Sequence, residues 1–522
     1  MLNLKLSKLT TIIMFVKISL LYKKIVYALI PFTYLFLLLF QKDISMFADL
    51  GRHLKLGEVI VGCRCVPEVN LFSYTYPNFP IVNHEWLAEV IFYVTSSWFG
   101  LHALLVLKMI LIIITASLLY STALKKGSLF WVTIFSIFSI TVFSTRFYVL
   151  PELFSYLFVG IFIFLIEKYK ETRKIALLWI LPFIELFWVN MHIYYIIGVG
   201  MYGLFFIEDF IKNKKLDLKL VGVGITLILS VFLNPKFIQG AILPFTVFNN
   251  YGFNVEENIS TLKFFNPTST NTNIAYTLTM QVIVFEVLIM LFIFLLFFKH
   301  LWKNIFQLGN GIFAAILGLK FVRAIGVFAI LGYISLVQSF TYIENRLRKK
   351  DEDLTVILKL LFAIVAGVVI LIHVVGLFQY KILSFSYVPS TEKALEFIKE
   401  TELKGPIFNN YRIGNHLIYG LYPKEKVYID ARPEAYPASF FKEYLLMMTD
   451  EQYFNQQVKK YDINAVVFDV TDDPVVIRPF LLRLIQSPDW IPVYGDGSVT
   501  IFVRNIEVNQ KIIDKYKIVL DQ

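Results

Sequence analysis

The sequence predicts an α-helical polytopic membrane protein of about eleven transmembrane helices, closed by a small extracytoplasmic α/β domain. Three observations lead there. Of the 522 residues 57% are hydrophobic and only 17% charged, and the apolar residues fall in long charge-free runs, as in chains whose solvent is lipid. Lysine and arginine collect in the short segments between alternate runs. Beyond residue 385 the long runs end, and helix-like and strand-like patterns alternate.

Taken in order, the apolar runs are 25–40, 101–124, 128–145, 149–166, 175–189, 193–207, 219–234, 277–298, 304–320, 324–342 and 354–378. Lys5, Lys8, Lys17, Lys23 and Lys24 precede the first, and no small-residue cleavage site follows it, so it reads as a retained helix. Lys125-Lys126, Lys168–Lys174, Lys212–Lys219, Lys299–Lys303 and Arg346–Lys350 then share one side. The positive-inside rule makes that side cytoplasmic, together with the N-terminus, and an odd number of spans puts the tail outside the plasma (inner) membrane. The expected division is a transmembrane domain, 1–384, with outer loops 41–100 and 235–276, and a soluble domain, 385–522. Within the first loop, Trp86, Tyr93 and Trp98 suit a helix lying at headgroup depth.

The formal charge of +10 does not signal nucleic acid. Residues 385–522 hold 16 Lys/Arg against 19 Asp/Glu, a net of −3, so the basic excess lies in the short loops that encode topology. Cys63 and Cys65 form one C-x-C, whose disulfide ring is very small, and no second pair completes a zinc site; two ordinary thiols are expected. In the tail, Thr391–Thr401 and a segment around Gln452–Tyr461 read as helices. Pro406–Asn409, Lys426–Ile429 and Ala465–Phe468 read as strands, and Trp490–Tyr494 with Val499–Val503 as a hairpin turning at Gly495-Asp496-Gly497.

Nearly every unusual polar residue falls on the outer side. Asp49, Arg52 and His53 are spaced i, i+3, i+4 and share one helical face; they are either a carboxylate kept ionised by two cations or a solvated face with local ion pairs. His84 and Glu85 stand at the membrane rim, and Glu89, one turn on, faces an apolar segment where an acid is costly unless paired. His-Glu-Trp-Leu-Ala-Glu lacks the second histidine of a zinc-protease helix. Arg146 and Arg323 end two spans, as snorkelling anchors or as guanidinium forks for a phosphate. Asn190 and His192 occupy a short outer turn, to bind a ligand or to cap helix ends. Glu256 and Glu257 lie in the second outer loop, where a solvated loop is the default. Cations, carboxylates and apolar grooves on one surface suit a phosphorylated lipid substrate.

Several stretches resemble a bacterial group within the GT-C superfamily of membrane glycosyltransferases. They are F-A-D-L-G-R-H-L-K-L-G-E, F-S-Y-T-Y-P, N-H-E-W-L-A-E-V-I-F-Y, R-F-Y-V-L-P-E-L-F-S-Y-L-F-V, W-V-N-M-H, L-N-P-K-F, K-F-V-R-A-I-G-V-F-A, I-F-N-N-Y-R-I-G-N-H-L-I-Y and V-Y-I-D-A-R-P-E-A-Y. The resemblance runs from about Asp43 to Arg504. It implies transfer of a sugar from a polyprenyl-phosphate donor to a glycan, lipid or protein acceptor. An acidic residue of the first outer loop, here Asp49, would act as general base, with Glu85 second in line; Arg52, Arg146 and Arg323 would hold the leaving phosphate. Leu50 follows Asp49 where protein O-mannosyltransferases carry an Asp-Glu pair, which leaves acceptor class and a divalent metal open. Asp430 and Arg432 in the tail are either an acceptor site or a structural pair. A lipid-linked glycan carrier would instead carry polar groups at the membrane midplane and internal repeats, and neither stands out. A non-catalytic scaffold for envelope assembly is the third reading.

Overall fold

The computed structural model describes residues 22–46, 49–247, 259–263, 272–299, 301–388, 391–472 and 474–519. Its N-terminal part is helical: α1 (Tyr22–Leu39), α2 (Leu50–Cys63), α3 (Trp86–Phe99), α4 (Ala103–Leu124), α5 (Leu129–Phe143), α6 (Glu152–Thr172), α7 (Ile180–Trp188), α8 (Tyr195–Asn213), α9 (Leu218–Val231) and α10 (Ile238–Thr246). Then come α11 (Thr272–Leu295), α12 (Ile305–Lys320), α13 (Ile325–Leu331), α14 (Tyr333–Arg348) and α15 (Glu352–Gln379).

Among the described residues four helices are long and apolar enough to cross a membrane: α1, α4, the stretch Leu129–Arg146 that contains α5, and α15. The pair Val322–Leu331 and Tyr333–Arg348, bent by 51°, makes a fifth if its two helices are taken as one span. The bend falls at Gly332, where a Cβ would come within 2.9 Å of the Phe328 ring. Shorter apolar helices, among them α9 and α12, fill the rest of the bundle. α5 is its axis, with Trp131, Val132, Phe135 and Val142 fully buried among neighbouring helices. α15 lies at the edge and shows Ile357, Leu360, Ile364 and Leu371 to the surroundings, as a lipid-facing helix does. Its start is capped by Asp351, whose carboxylate accepts the Leu354 N–H at 2.9 Å.

The tail forms α16 (Glu392–Glu400), β1 (Ile407–Asn409), α17 (Gly414–Leu421), α18 (Phe440–Thr449), α19 (Glu451–Tyr461), β2 (Ala465–Asp469), α20 (Pro474–Gln486), β3 (Trp490–Gly495), β4 (Val499–Arg504) and α21 (Gln510–Tyr516). The sheet order is β1-β2-β4-β3, with β1 and β2 parallel and the rest antiparallel. Both faces of the central strand β2 are covered, so it is apolar from Ala465 to Phe468: Ala465 and Val467 face one cluster, Val466 and Phe468 the other.

Two expectations are corrected. Lys426–Ile429 is not a strand; only Val427 bridges, to Ile407 and to Ser73 of the first outer loop. That loop is sewn to the tail: the Tyr74 N–H donates to the Val427 carbonyl (3.1 Å), the Val427 N–H to the Phe72 carbonyl (2.9 Å), and Phe72 is buried in the tail's core. Cys63 and Cys65 are not free thiols but a disulfide. α2 ends between them with Arg64 in the left-handed region (φ 55°), which turns the chain back and sets the two Cα atoms 5.2 Å apart.

α2 and α3 pack as a hairpin whose contact is set by Gly57. A Cβ there would collide with the Glu89 carbonyl and stand 2.7 Å from the Tyr93 Cβ. Gly57→Ala is therefore expected to lower stability by about 1–3 kcal/mol through overpacking, read as a lower Tm in detergent; an unchanged Tm would contradict this packing.

Candidate active site

Asp49 precedes the first turn of α2 and puts Arg52 and His53 on one face, as their spacing requires. Its carboxylate is about a third exposed, 4.0 Å from the Arg52 guanidinium, and its Oδ1 accepts from Asn415 Nδ2 of α17 at 2.8 Å. Arg52 and His53 are buried. The Arg52 guanidinium donates to His53 Nε2 (3.2 Å) and lies 3.6 Å from Glu89. Burial would weaken its charge, but Asp49, Glu85 and Glu89 outweigh that and hold it firmly protonated.

Burial, then the Arg52 charge, pushes His53 down to about 3. At neutral pH the ring is neutral, so its 3.1 Å contact with Glu89 is a hydrogen bond donated by Nδ1–H rather than an ion pair. Glu89 is fully buried, and desolvation raises its pKa against the pull of Arg52 and Asn83. Asn83 acts as a clamp: Nδ2 donates to Glu89 (2.6 Å) while Oδ1 accepts the Glu85 N–H (3.1 Å) at the start of α3. Glu85 is left facing three imidazoles, His84 at 3.8 Å, His53 at 3.9 Å and His192 at 4.0 Å.

The second half of the site is cationic. Arg146 follows α5 and is buried, so it does not snorkel; Pro151 starts α6 so that Glu152 meets Arg146 Nε at 2.7 Å. Arg323, between α12 and α13, partners the Tyr194 hydroxyl. Both arginines act on His192, which burial first, then His84, Arg323 and Arg146 hold well below the ordinary imidazole range. His192 thereby joins the two halves. Asn190 serves as a cap and tie: it accepts from Trp86 Nε1 (2.8 Å) and donates to the Leu186 (2.8 Å) and Leu233 (2.9 Å) carbonyls. Glu256 and Glu257 lie outside the described residues.

In the tail, Asp430 and Arg432 form a buried structural pair (2.7 Å), and Arg432 also donates to Asn70 of the first outer loop (2.8 Å). Sequence reasoning named Glu89 but passed over Asn83, Glu152 and Asn415. Asn83 accepts the N–H of Glu85 two residues on, the local turn that an asparagine ahead of a helix can signal; Asn415 reaches Asp49 across 366 positions and gives no local sign.

Solved structures share this architecture. An oligosaccharyltransferase of Archaeoglobus fulgidus, tethered to an acceptor peptide containing the NVT sequon, is 11% identical and has a TM-score of 0.59, covering 93% of this chain and 74% of its own. AglB of the same organism, in complex with an inhibitory peptide and a dolichol-phosphate, is 11% identical, with a TM-score of 0.55 over 95% of this chain and 75% of its own. ArnT of Cupriavidus metallidurans in the apo state is 10% identical, with a TM-score of 0.50 over 92% of this chain and 97% of its own. This chain has the GT-C fold. No protein-family model and no curated protein matches the sequence. At this level of identity the likeness speaks for the GT-C architecture, while the site rests on this chain's own residues.

His416, next to Asn415 in α17, is pushed down to about 4 by burial and by Arg412. Between the ordinary imidazole range and about 4 the unfolded chain binds a proton that the folded one does not, so stability falls as the pH drops through that window. The Tm of the detergent-solubilised protein should decline from about pH 6.5 to 4, and His416→Gln should flatten the decline. Parallel curves would remove His416 as its source.

Proposed function

We propose that the protein is a membrane glycosyltransferase that moves a sugar from a polyprenyl-phosphate donor to an acceptor hydroxyl outside the cytoplasm, with inversion. The observation that carries this reading is one end of a GT-C fold where a carboxylate cluster around Asp49 and Glu85 meets a guanidinium pair, Arg146 and Arg323, across His192. Asp49 is the accessible carboxylate, 4.0 Å from the Arg52 guanidinium, and is assigned as general base. The acceptor oxygen attacks the anomeric carbon, its proton passes to Asp49, and the bond to the lipid phosphate breaks. Arg146 and Arg323, with Arg52 nearby, offset the charge that grows on the leaving phosphate. Glu85 is second in line as base. Glu89 is unsuited to that role, being buried and already bonded to His53 and Asn83.

His53, Glu85 and Glu89 offer ligand atoms within 4.8 Å of one another, a spacing suited to a divalent cation. Their hydrogen bonds oppose one. Metal on Nδ1 of a neutral His53 would put the ring proton on Nε2, against the Arg52 group that donates there. Arg52 already lies 3.6 Å from Glu89 and supplies the positive charge. The residues as arranged do not fit a metal, and no step is drawn through one.

Counting the four shorter apolar helices together with α6 and α8 as spans gives the proposed number of eleven, with the N-terminus cytoplasmic and the tail outside the inner membrane. The proposed division places 385–522 above a membrane domain of 1–384.

In membranes supplied with radiolabelled polyprenyl-phosphate sugars, Asp49→Asn should reduce transfer by at least about 100-fold while inserting normally; undiminished transfer would move the base to Glu85. Arg323→Ala should weaken binding of the lipid phosphate by about tenfold, and unchanged affinity would return it to a helix anchor. Transfer is also expected to persist in excess EDTA. Activity lost on chelation and regained with Mn2+ would refute the metal argument.

A further inference from the structure

Ser155 lies inside the bundle on α6, has no exposed surface, and belongs to none of the groups assigned above. Its hydroxyl has two partners. Trp188 Nε1, at the end of α7, lies 2.8 Å from Oγ, and His192 Nδ1 lies 2.9 Å from it. An indole N–H can only donate, so Oγ accepts from Trp188. The hydroxyl keeps one hydrogen, and His192 Nδ1 is its remaining partner among the described residues. Nδ1 therefore accepts, and the ring proton of neutral His192 sits on Nε2. The ring is held further by Tyr194, packed edge-on at 4.5 Å and 79°.

Nε2 faces the site. Its nearest acidic neighbour, Glu85, is 4.0 Å away, too far for a hydrogen bond. Arg323 partners the hydroxyl of Tyr194, the ring packed on His192, and the charges of Arg323 and Arg146 are felt at the imidazole, so an anion held by them is drawn toward this end of the site. We propose that the chain Trp188–Ser155–His192 locks His192 in its Nε2–H tautomer and thereby presents a directed, neutral hydrogen-bond donor to an oxygen of the leaving phosphate. Ser155 and Trp188 are positioning residues. His192 donates a hydrogen bond and gives up no proton, so it places the leaving oxygen without joining the proton transfer to Asp49. Naming the phosphate as acceptor rests on the glycosyl-transfer reading; the tautomer itself does not.

The test is nitrogen NMR of the full-length protein in nanodiscs, with labelled histidine. The chain has seven histidines, and subtracting the spectrum of His192→Gln identifies the resonances of His192. The wild type should show a protonated Nε2 and an unprotonated Nδ1. Ser155→Ala should mix or invert the tautomers, whereas Ser155→Thr, which keeps the hydroxyl, should restore the wild-type pattern. In parallel, undecaprenyl phosphate should bind about tenfold more weakly to Ser155→Ala and His192→Ala, with Ser155→Thr near wild type. A wild-type ring protonated on Nδ1, or on both nitrogens, overturns the proposal, and this readout needs no Ser155 variant, only His192→Gln for the assignment. So does a Ser155→Ala protein with unaltered tautomer and affinity. If the tautomer and the binding losses are found but no donor yields transfer, the proposal stands and the transferase reading fails.

Discussion

The arrangement of the candidate site follows from one buried carboxylate. Glu89 has no solvent-exposed surface, and an acid in that position must be fully satisfied or it destabilises the fold. Three neighbours meet the demand: Asn83 on Oε2, His53 on Oε1 and the Arg52 charge at 3.6 Å. Each has a structural consequence. Arg52 and His53 draw α2 against α3 so closely that only glycine fits at position 57. Asn83, bonded to Glu89, also fixes the start of α3 and leaves Glu85 facing the open side of the cluster. Trp86, next in the chain, then ties this corner to Asn190 and through it to the end of α9. The side chain least able to do chemistry thus sets the position of those that can.

The tail is bound to the same corner. The first outer loop supplies Phe72 to the tail's core and Asn70 to Arg432, and α17 returns Asn415 to Asp49. Asn415 Oδ1 also accepts the Ala431 N–H at 3.3 Å, and a Cβ at Gly51 would lie 2.9 Å from the Asn415 carbonyl. The tail therefore reaches the proposed base through an amide fixed at both ends. In the proposed reaction the acceptor arrives from outside, so the domain it meets first is also the one that orients the carboxylate receiving its proton.

Much of this was legible in the sequence because the signals are local. The spacing of Asp49, Arg52 and His53 fixes a shared helical face whatever the tertiary context, and the structure keeps it. The hairpin at Gly495-Asp496-Gly497 and the apolar run Ala465–Phe468 appear as read. What escaped depends on distant partners. Lys426–Ile429 has strand composition, yet its neighbours offer single bridges rather than a ladder. The disulfide depends on the turn after α2, which composition does not reveal. Arg146 read as an anchor or a fork because its partner Glu152 becomes adjacent only once Pro151 turns the chain. Asn415 carries no local mark at all.

Two histidines with opposite tautomers show how the site divides its labour. His53 accepts at Nε2 from Arg52 and points its proton inward to Glu89; His192 accepts at Nδ1 from Ser155 and points its proton outward. Burial and neighbouring arginines keep both rings neutral. A charged imidazole beside Arg146 and Arg323 would add repulsion where positive charge is already fixed. Guanidinium groups stay protonated across the physiological range, so the charge offered to a phosphate does not titrate. Neutral imidazole supplies what the guanidinium pair lacks, a single donor of fixed direction. In the proposed reaction the positive charge that the protein holds at the phosphate end is then insensitive to pH.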